Sequence, residues 1–225
     1  MERTGTSSIP DRHGRLGMPI SLKQQNVLLL APLIIVHVLT MAAWANFHPI
    51  WAGDLLATLH SKHSISTAAL SGIAATILTG IIPAEVKSIF VFWRIKHPLP
   101  GCRAFSVHIK NDARISEKTW KARLGEFPVE PKDQNATWYR IYSSVRDAPS
   151  VKSVHKNYLF CRDLTAINLI FLVLSVPVGA YFLDTVEEQA LTTSTYLAIY
   201  FFVALAAQNY GKRMVTTVFA TAQEQ

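Results

Sequence analysis

The sequence predicts an all-α integral membrane protein with four transmembrane helices arranged as two hairpins and a mostly helical cytoplasmic insert between the second and third spans. Half of the 225 residues are apolar and only 16% are charged, and the mean hydropathy is +0.22, which argues against an ordinary soluble domain. Four apolar runs contain no Asp, Glu, Lys or Arg. Each run is long enough to cross about 30 Å of hydrocarbon as a helix.

The predicted spans are Val27–Ala45, Thr67–Pro83, Leu164–Leu183 and Ala190–Ala207. The second span needs a choice of window, because apolar residues continue beyond Pro83 as far as Trp93. A window centred on Pro83 would bring Glu85 and Lys87 towards the bilayer centre, where each charge costs about 2.5 to 3.5 kcal/mol. The window that ends at Pro83 is therefore preferred, and 88–93 is expected to continue along the membrane interface.

The orientation follows from the distribution of basic residues. Of the 22 Lys and Arg residues, only Lys62 lies between the first and second spans, and none lies between the third and fourth. The positive-inside rule therefore predicts that both termini and the long central segment lie in the cytoplasm. We expect the protein to be a multi-pass protein of the plasma (inner) membrane. The sequence Ala43-Trp44-Ala45 resembles a signal-peptidase site, but a retained membrane anchor fits the long preceding segment better.

These spans divide the chain into five segments. They are a cytoplasmic N-terminal tail (1–26), a first transmembrane hairpin (27–93), the cytoplasmic insert (94–163), a second transmembrane hairpin (164–208) and an amphipathic C-terminal tail (209–225). The insert is too short to form a large core.

Three helices are predicted in the insert from their capping residues. Ser116 and Gly125 bracket the first, over 117–124. Asp133 is a candidate N-cap for a second helix that runs through Arg146, and Ser150 for a third. No Gly or Pro interrupts the third helix before Leu164, so it is expected to continue into the third span. Residues 104–109 alternate like a strand, although no partner strand is in view.

Polar and charged residues recur where the second, third and fourth spans meet the cytoplasm. We interpret them as a coupling or interface ring, with the junction between the insert and the third span at its centre. Its members are Glu85, Lys87, Arg162, Asp163, Asn168, Gln208 and Asn209. A catalytic or anion-binding ring is one alternative, and charges that pair with neighbours and lipid headgroups are the simpler one.

A second pattern is a ridge of small residues at four-residue spacing along the second span. It consists of Ser64, Ala68, Gly72, Thr76 and Gly80. Small residues let helix backbones approach closely in a bilayer. The ridge is expected to pack against another helix of the same chain, with another subunit as the alternative.

The sequence offers one candidate metal site. Cys102 and His108 are followed by His155 and Cys161 in mirror order, which supplies four ligands of the kinds that zinc prefers. Structural zinc sites usually have shorter gaps between paired ligands. The simpler interpretation is two reduced thiols and two packing or surface histidines, and no cofactor is expected.

No catalytic motif emerges, since the chain lacks P-loop, G-x-S-x-G and H-E-x-x-H strings. We therefore expect a non-enzymatic effector or channel-like assembly that is regulated through the basic insert. In architecture alone this is similar to membrane effectors of bacterial antiviral cassettes, which implies a role in a stress or antiviral system. The alternative is a membrane-embedded enzyme or transporter that acts on a lipid or small anion at the cytoplasmic interface.

The expected partners follow from the predicted membrane topology and the basic insert. They are membrane lipids including anionic headgroups, further copies of the chain in a homo-oligomer, and a cytoplasmic protein or nucleotide that signals through the insert. Nucleic acid is not expected, because a basic cytoplasmic loop is what the positive-inside rule requires in any case.

Overall fold

The computed structural model describes residues 80–183 and 185–225, together with Asn26, Leu29, Leu30, Pro32, Leu33 and Ile77. Most of the first predicted span, most of the second and four of the five ridge positions lie outside the described residues. Within the described part the chain is helical and contains no strand. Five α-helices are assigned there: α1 (Ala84–Phe92), α2 (Glu117–Leu124), α3 (Pro131–Val145), α4 (Pro149–Phe182) and α5 (Val186–Gln223).

Helix α2 has the bounds that its capping residues predict. The side chain of Ser116 accepts a hydrogen bond from the Thr119 N–H, at 3.3 Å. Gly125 ends the helix with a φ of 77°, a backbone conformation that glycine adopts without a steric penalty. The prediction of this helix is confirmed.

The next two helices begin at prolines rather than at the predicted caps. Helix α3 starts at Pro131 and α4 at Pro149, so the assignments of Asp133 and Ser150 as N-caps are wrong. Proline is favoured at the first position of a helix because its φ is already helical and its missing N–H would have no partner there. Asp133 instead lies in the first turn of α3, where a carboxylate favours the helix dipole.

Helix α4 confirms the prediction of one continuous rod from the insert into the third apolar run. It extends for 34 residues and contains Pro177 within its length, so it is about 51 Å long. Residues 104–109 do not form a strand. The chain there makes turns between two short 3₁₀ helices, Pro100–Arg103 and His108–Lys110.

The turn after the first 3₁₀ helix is fixed by one buried side chain of α3. The Gln134 Oε1 atom accepts hydrogen bonds from the N–H groups of Phe105 and Ser106, at 3.2 and 3.1 Å. Its Nε2 atom donates to the Val129 carbonyl, at 2.9 Å. These bonds satisfy backbone groups that a strand would have paired with a neighbour.

The last quarter of α5 lies in the core of the insert. Phe219 is fully buried, and its ring meets Phe105 and Trp120 edge to face, each with a centroid separation of 5.2 Å. Val215 and Val218 are also fully buried in this cluster. Residues 209–223 of the predicted amphipathic C-terminal tail are therefore the end of α5, and they contribute to the core of the insert.

Helices α4 and α5 are long and apolar enough to cross a membrane, over Pro149–Pro177 and Val186–Gln223. They pack against each other away from the insert, where the Phe171 and Tyr196 rings stack at 6.3 Å. Large apolar side chains on their outer faces are exposed, among them Val173 and Phe202 at 63% and 69%.

Gly211 lies where α5 contacts both α1 and α4. A Cβ atom at this position would lie 2.8 Å from the Phe92 ring and 3.0 Å from the Tyr158 ring. Glycine therefore lets α1, α4 and α5 meet at one point.

We expect the substitution Gly211→Ala to lower the free energy of unfolding by about 1 to 3 kcal/mol, because the added methyl group displaces two packed rings. Gly80→Ala is the matched control, since no atom of the described residues lies within 4 Å of a Cβ built at Gly80. The measurement is denaturant unfolding in detergent, and equal stability of the two variants would contradict the prediction.

Candidate functional site

A buried ion pair joins α1 to α4. The Lys87 Nζ atom lies 2.9 Å from Asp163 Oδ1, and the two side chains are only 2% and 3% exposed. Seventy-six residues separate the partners in the sequence. Two charges removed from water in this way lose most of their hydration, and their mutual attraction must offset that loss.

Arg162 adds a second cation to the pair. Its Nε and Nη2 atoms both donate to Asp163 Oδ1, at 3.1 and 3.0 Å, and its side chain is 13% exposed. The guanidinium also lies over the Tyr158 ring, 5.9 Å from its centroid. One carboxylate oxygen thus accepts hydrogen bonds from two cations. We call Lys87, Arg162 and Asp163 the ionic cluster.

Two hydroxyl groups, those of Ser88 and Tyr158, lie beside the ionic cluster. The hydroxyl oxygens of Ser88 and Tyr158 are 3.4 Å apart. Ser88 also donates to the Ala84 carbonyl within α1, at 2.8 Å. Ser88 was not predicted as a member of this site, because it has no charge or motif to mark it.

The C-terminal end of α1 is held by side chains of α5. Trp93 adopts the left-handed backbone conformation with a φ of 53° and ends the helix. The Gln208 Nε2 atom then donates to the Val91 carbonyl at 2.7 Å, and the Tyr200 hydroxyl donates to the Phe90 carbonyl at 2.8 Å. These bonds satisfy carbonyl groups that have no partner at the end of a helix.

Among the described residues, no hydrogen bond joins the remaining members of the predicted ring to the ionic cluster. Asn168 is buried, donates to the Leu164 carbonyl at 2.9 Å, and its Oδ1 atom has no hydrogen-bond partner among the described residues. Glu85 and Asn209 are exposed. The structure therefore brings together three of the seven predicted residues, with Gln208 holding the same short helix from α5.

Gly80 is the only position of the predicted small-residue ridge that the structure describes. It is exposed, and a Cβ atom there would meet no described atom within 4 Å. The ridge as a packing surface stays a prediction, because Ser64, Ala68, Gly72 and Thr76 lie outside the described residues.

The four candidate zinc ligands are all described. Cys102 and Cys161 are buried free thiols, and burial raises the pKa of Cys102. The His155 Nδ1 atom lies 2.9 Å from the Tyr142 hydroxyl. Across the described ranges, no three His, Cys, Asp or Glu side chains are placed together to hold a metal ion.

His108 lies in the insert beside two cations. Burial, followed by the nearby charges of Lys212 and Arg94, lowers the pKa of its imidazole from 6.5 to about 4. The folded protein therefore keeps this side chain neutral at pH values where the unfolded chain would be protonated.

Because the unfolded state binds the extra proton, we expect stability to fall as the pH decreases from about 6.5 to about 4, with a slope from this group of at most about 1.4 kcal/mol per pH unit. In His108→Asn this part of the slope is expected to disappear. Thermal unfolding between pH 7 and pH 4.5 measures it, and parallel curves for the two proteins would refute the assignment.

The ionic cluster connects helices rather than presenting reactive groups. Its lysine and aspartate are bonded to each other and shielded from water, so neither is accessible to a substrate. A buried ion pair adds little net stability compared with apolar side chains of similar volume, but removing one partner is strongly destabilising. Such a pair favours one particular arrangement of the helices that carry it.

The substitution Asp163→Asn is expected to destabilise the protein by about 3 to 5 kcal/mol, because it removes the carboxylate from a buried lysine. The double variant Lys87→Met with Asp163→Leu should recover part of this loss, because the buried lysine is removed together with its partner, although Arg162 still loses its carboxylate. Glu117→Gln provides the control, because it breaks the exposed Lys121 pair, in which the side chains are 59% and 37% exposed. A double variant no more stable than Asp163→Asn would contradict the prediction.

Comparison with models of known protein families gives no match, and comparisons with curated proteins and with solved structures give none either.

Proposed function

We propose that this protein is a multi-pass membrane protein with four spans and both termini in the cytoplasm, and that it acts as a non-enzymatic effector or channel-like assembly regulated through its basic insert. The observation that carries the proposal is the continuity of α4 and α5. Each helix begins or ends in the packed core of the insert and continues, without a break, into a segment with an exposed apolar face.

The exposed apolar faces support a bilayer environment for these segments. A helix in the core of a soluble protein buries its apolar side chains, whereas only 39% and 22% of the most apolar windows of α4 and α5 are buried. Leu174, Leu197 and Phe202 are 44%, 53% and 69% exposed. Large apolar side chains exposed in this way along two long helices are typical of contact with lipid or with another protein.

The ionic cluster lies where such a protein would transmit a movement. Asp163 directly precedes the apolar part of α4, and Lys87 lies just beyond the predicted second span. Their bond joins these two spans, and the bond from Gln208 to the Val91 carbonyl joins the fourth. A displacement of the insert would then reach three spans at one level, because long helices move as rigid units.

The alternative activity, on a lipid or small anion at the same level, has less support. A substrate would need access to the charged groups, but Lys87 and Asp163 are 2% and 3% exposed and bond each other. Arg162 also bonds Asp163 through two nitrogen atoms. The cluster is better suited to holding helices than to binding a ligand.

The test has two parts. Tags at the N-terminus and the C-terminus are expected to be accessible only from the cytoplasmic side of sealed vesicles. Purified protein in liposomes should release a trapped ion, and Arg162→Gln should change the rate of release at least several-fold while membrane insertion is unchanged. Arg146→Gln is the control, because Arg146 is exposed and its carboxylate contact is to Asp147 at 3.7 Å, away from the cluster.

Tags on opposite sides would refute the topology. Correct topology without ion release, from a protein that is monomeric in detergent, would instead favour the enzyme or transporter.

A further inference from the structure

A cleft lies between α2 and α3 on the insert, away from the ionic cluster. Its volume is about 530 Å³, within the range of small-molecule sites. The polar residues that line it are Arg123, Glu126, Thr137 and Arg140, and its apolar wall includes Pro128 and Ile141. We call this the α2–α3 cleft.

We propose that the α2–α3 cleft binds a soluble phosphorylated small molecule of mononucleotide size and acts as the regulatory site of the insert. The proposal rests on the function proposed above for the response to binding. The binding itself depends only on the cleft.

The two arginines supply the recognition of phosphate. The Arg140 Nη2 atom donates to the Thr137 hydroxyl at 3.0 Å, and neither Arg123 nor Arg140 pairs with a carboxylate in the part of the chain that the structure describes. Guanidinium groups bind phosphate through paired hydrogen bonds, and the Thr137 hydroxyl adds a further donor.

The rest of the lining fits the organic part of such a ligand. The Glu126 carboxylate accepts hydrogen bonds and repels a bare anion, so it matches the hydroxyl groups of a sugar or the amino group of a base. Pro128 and Ile141 offer apolar contact to a ring.

The location of the cleft favours a soluble ligand over a lipid headgroup. Arg123 reaches the end of α5, where it contacts Gln223. A helix rises about 1.5 Å per residue, so Gln223 is about 24 Å along α5 from Ala207, where the predicted fourth span ends. A headgroup would not extend that far from the bilayer.

Arg123 also connects the cleft to the membrane. Its Nη1 and Nη2 atoms donate to the carbonyl groups of Ala222 and Gln223, at 2.7 and 3.1 Å. Its guanidinium lies over the Trp120 ring, and that ring contacts Phe219 of α5. A phosphate that draws Arg123 into the cleft would weaken its hold on the last turn of α5. The helix then carries the change towards the spans.

Binding is tested with the full-length protein in detergent, by calorimetric titration with ATP, AMP, GTP and inorganic phosphate, and with vesicles of anionic lipid. We expect saturable binding of at least one nucleotide, and binding at least ten-fold weaker in Arg140→Gln, because a charge-assisted hydrogen bond is lost. Thr137→Val should also weaken binding. The control is Arg146→Gln, because Arg146 lies at the end of the same helix but outside the cleft. This variant should bind the nucleotide with an affinity within two-fold of the wild type.

Three results would overturn the site: no saturable binding of any nucleotide, equal weakening in Arg140→Gln and Arg146→Gln, or binding of anionic vesicles that depends on Arg140 while nucleotides do not bind. Circular dichroism confirms that each variant is folded. The same nucleotide is then added to liposomes that contain the protein. Binding without a change in ion release would overturn the coupling through Arg123 and leave the site established, which separates this proposal from the proposed function.

Discussion

Lys87 of α1 and Asp163 of α4, which lie far apart in the sequence, form an ion pair that is almost completely shielded from water. This pair constrains how the surrounding helices pack. Burying Lys87 and Asp163 costs both side chains their hydration, and the ion pair between them offsets that cost. Helix α1 must therefore lie against α4. The side chains of Tyr200 and Gln208 bond the last carbonyls of α1, and so the same short helix also fixes α5.

The two long helices experience different surroundings along their length. The end of α5 is packed among aromatic side chains in the insert, while its middle carries exposed residues such as Phe201 and Phe202. One end of α5 is packed in the core of the insert and its middle has an exposed apolar face. Because a helix of this kind is rigid, a displacement of one end moves the other end as well. Pro177 interrupts the backbone hydrogen bonding of α4 beyond the ionic cluster, so the part of α4 between the insert and the cluster is the stiffer one.

The insert depends on the end of the chain for its core. Phe219 contacts both Phe105 and Trp120, and Arg123 bonds the terminal carbonyls of α5. The cleft beside Arg123 and the ionic cluster around Asp163 are therefore connected by α5 and by the core that its last quarter completes. For the function proposed above, this arrangement supplies a physical route between the cleft and the ionic cluster.

The sequence by itself determined the helical class, the apolar character of α4 and α5, the caps of α2 and the continuity of α4. Each of these follows from residues within one or two turns of one another, where periodicity and capping act locally. Only the tertiary structure decided that Lys87 pairs with Asp163 while Glu85 is exposed, that residues 104–109 turn around Gln134, and that 209–223 contribute to a core. Those outcomes depend on which distant segments pack together, because burial selects one partner among several that are chemically equivalent.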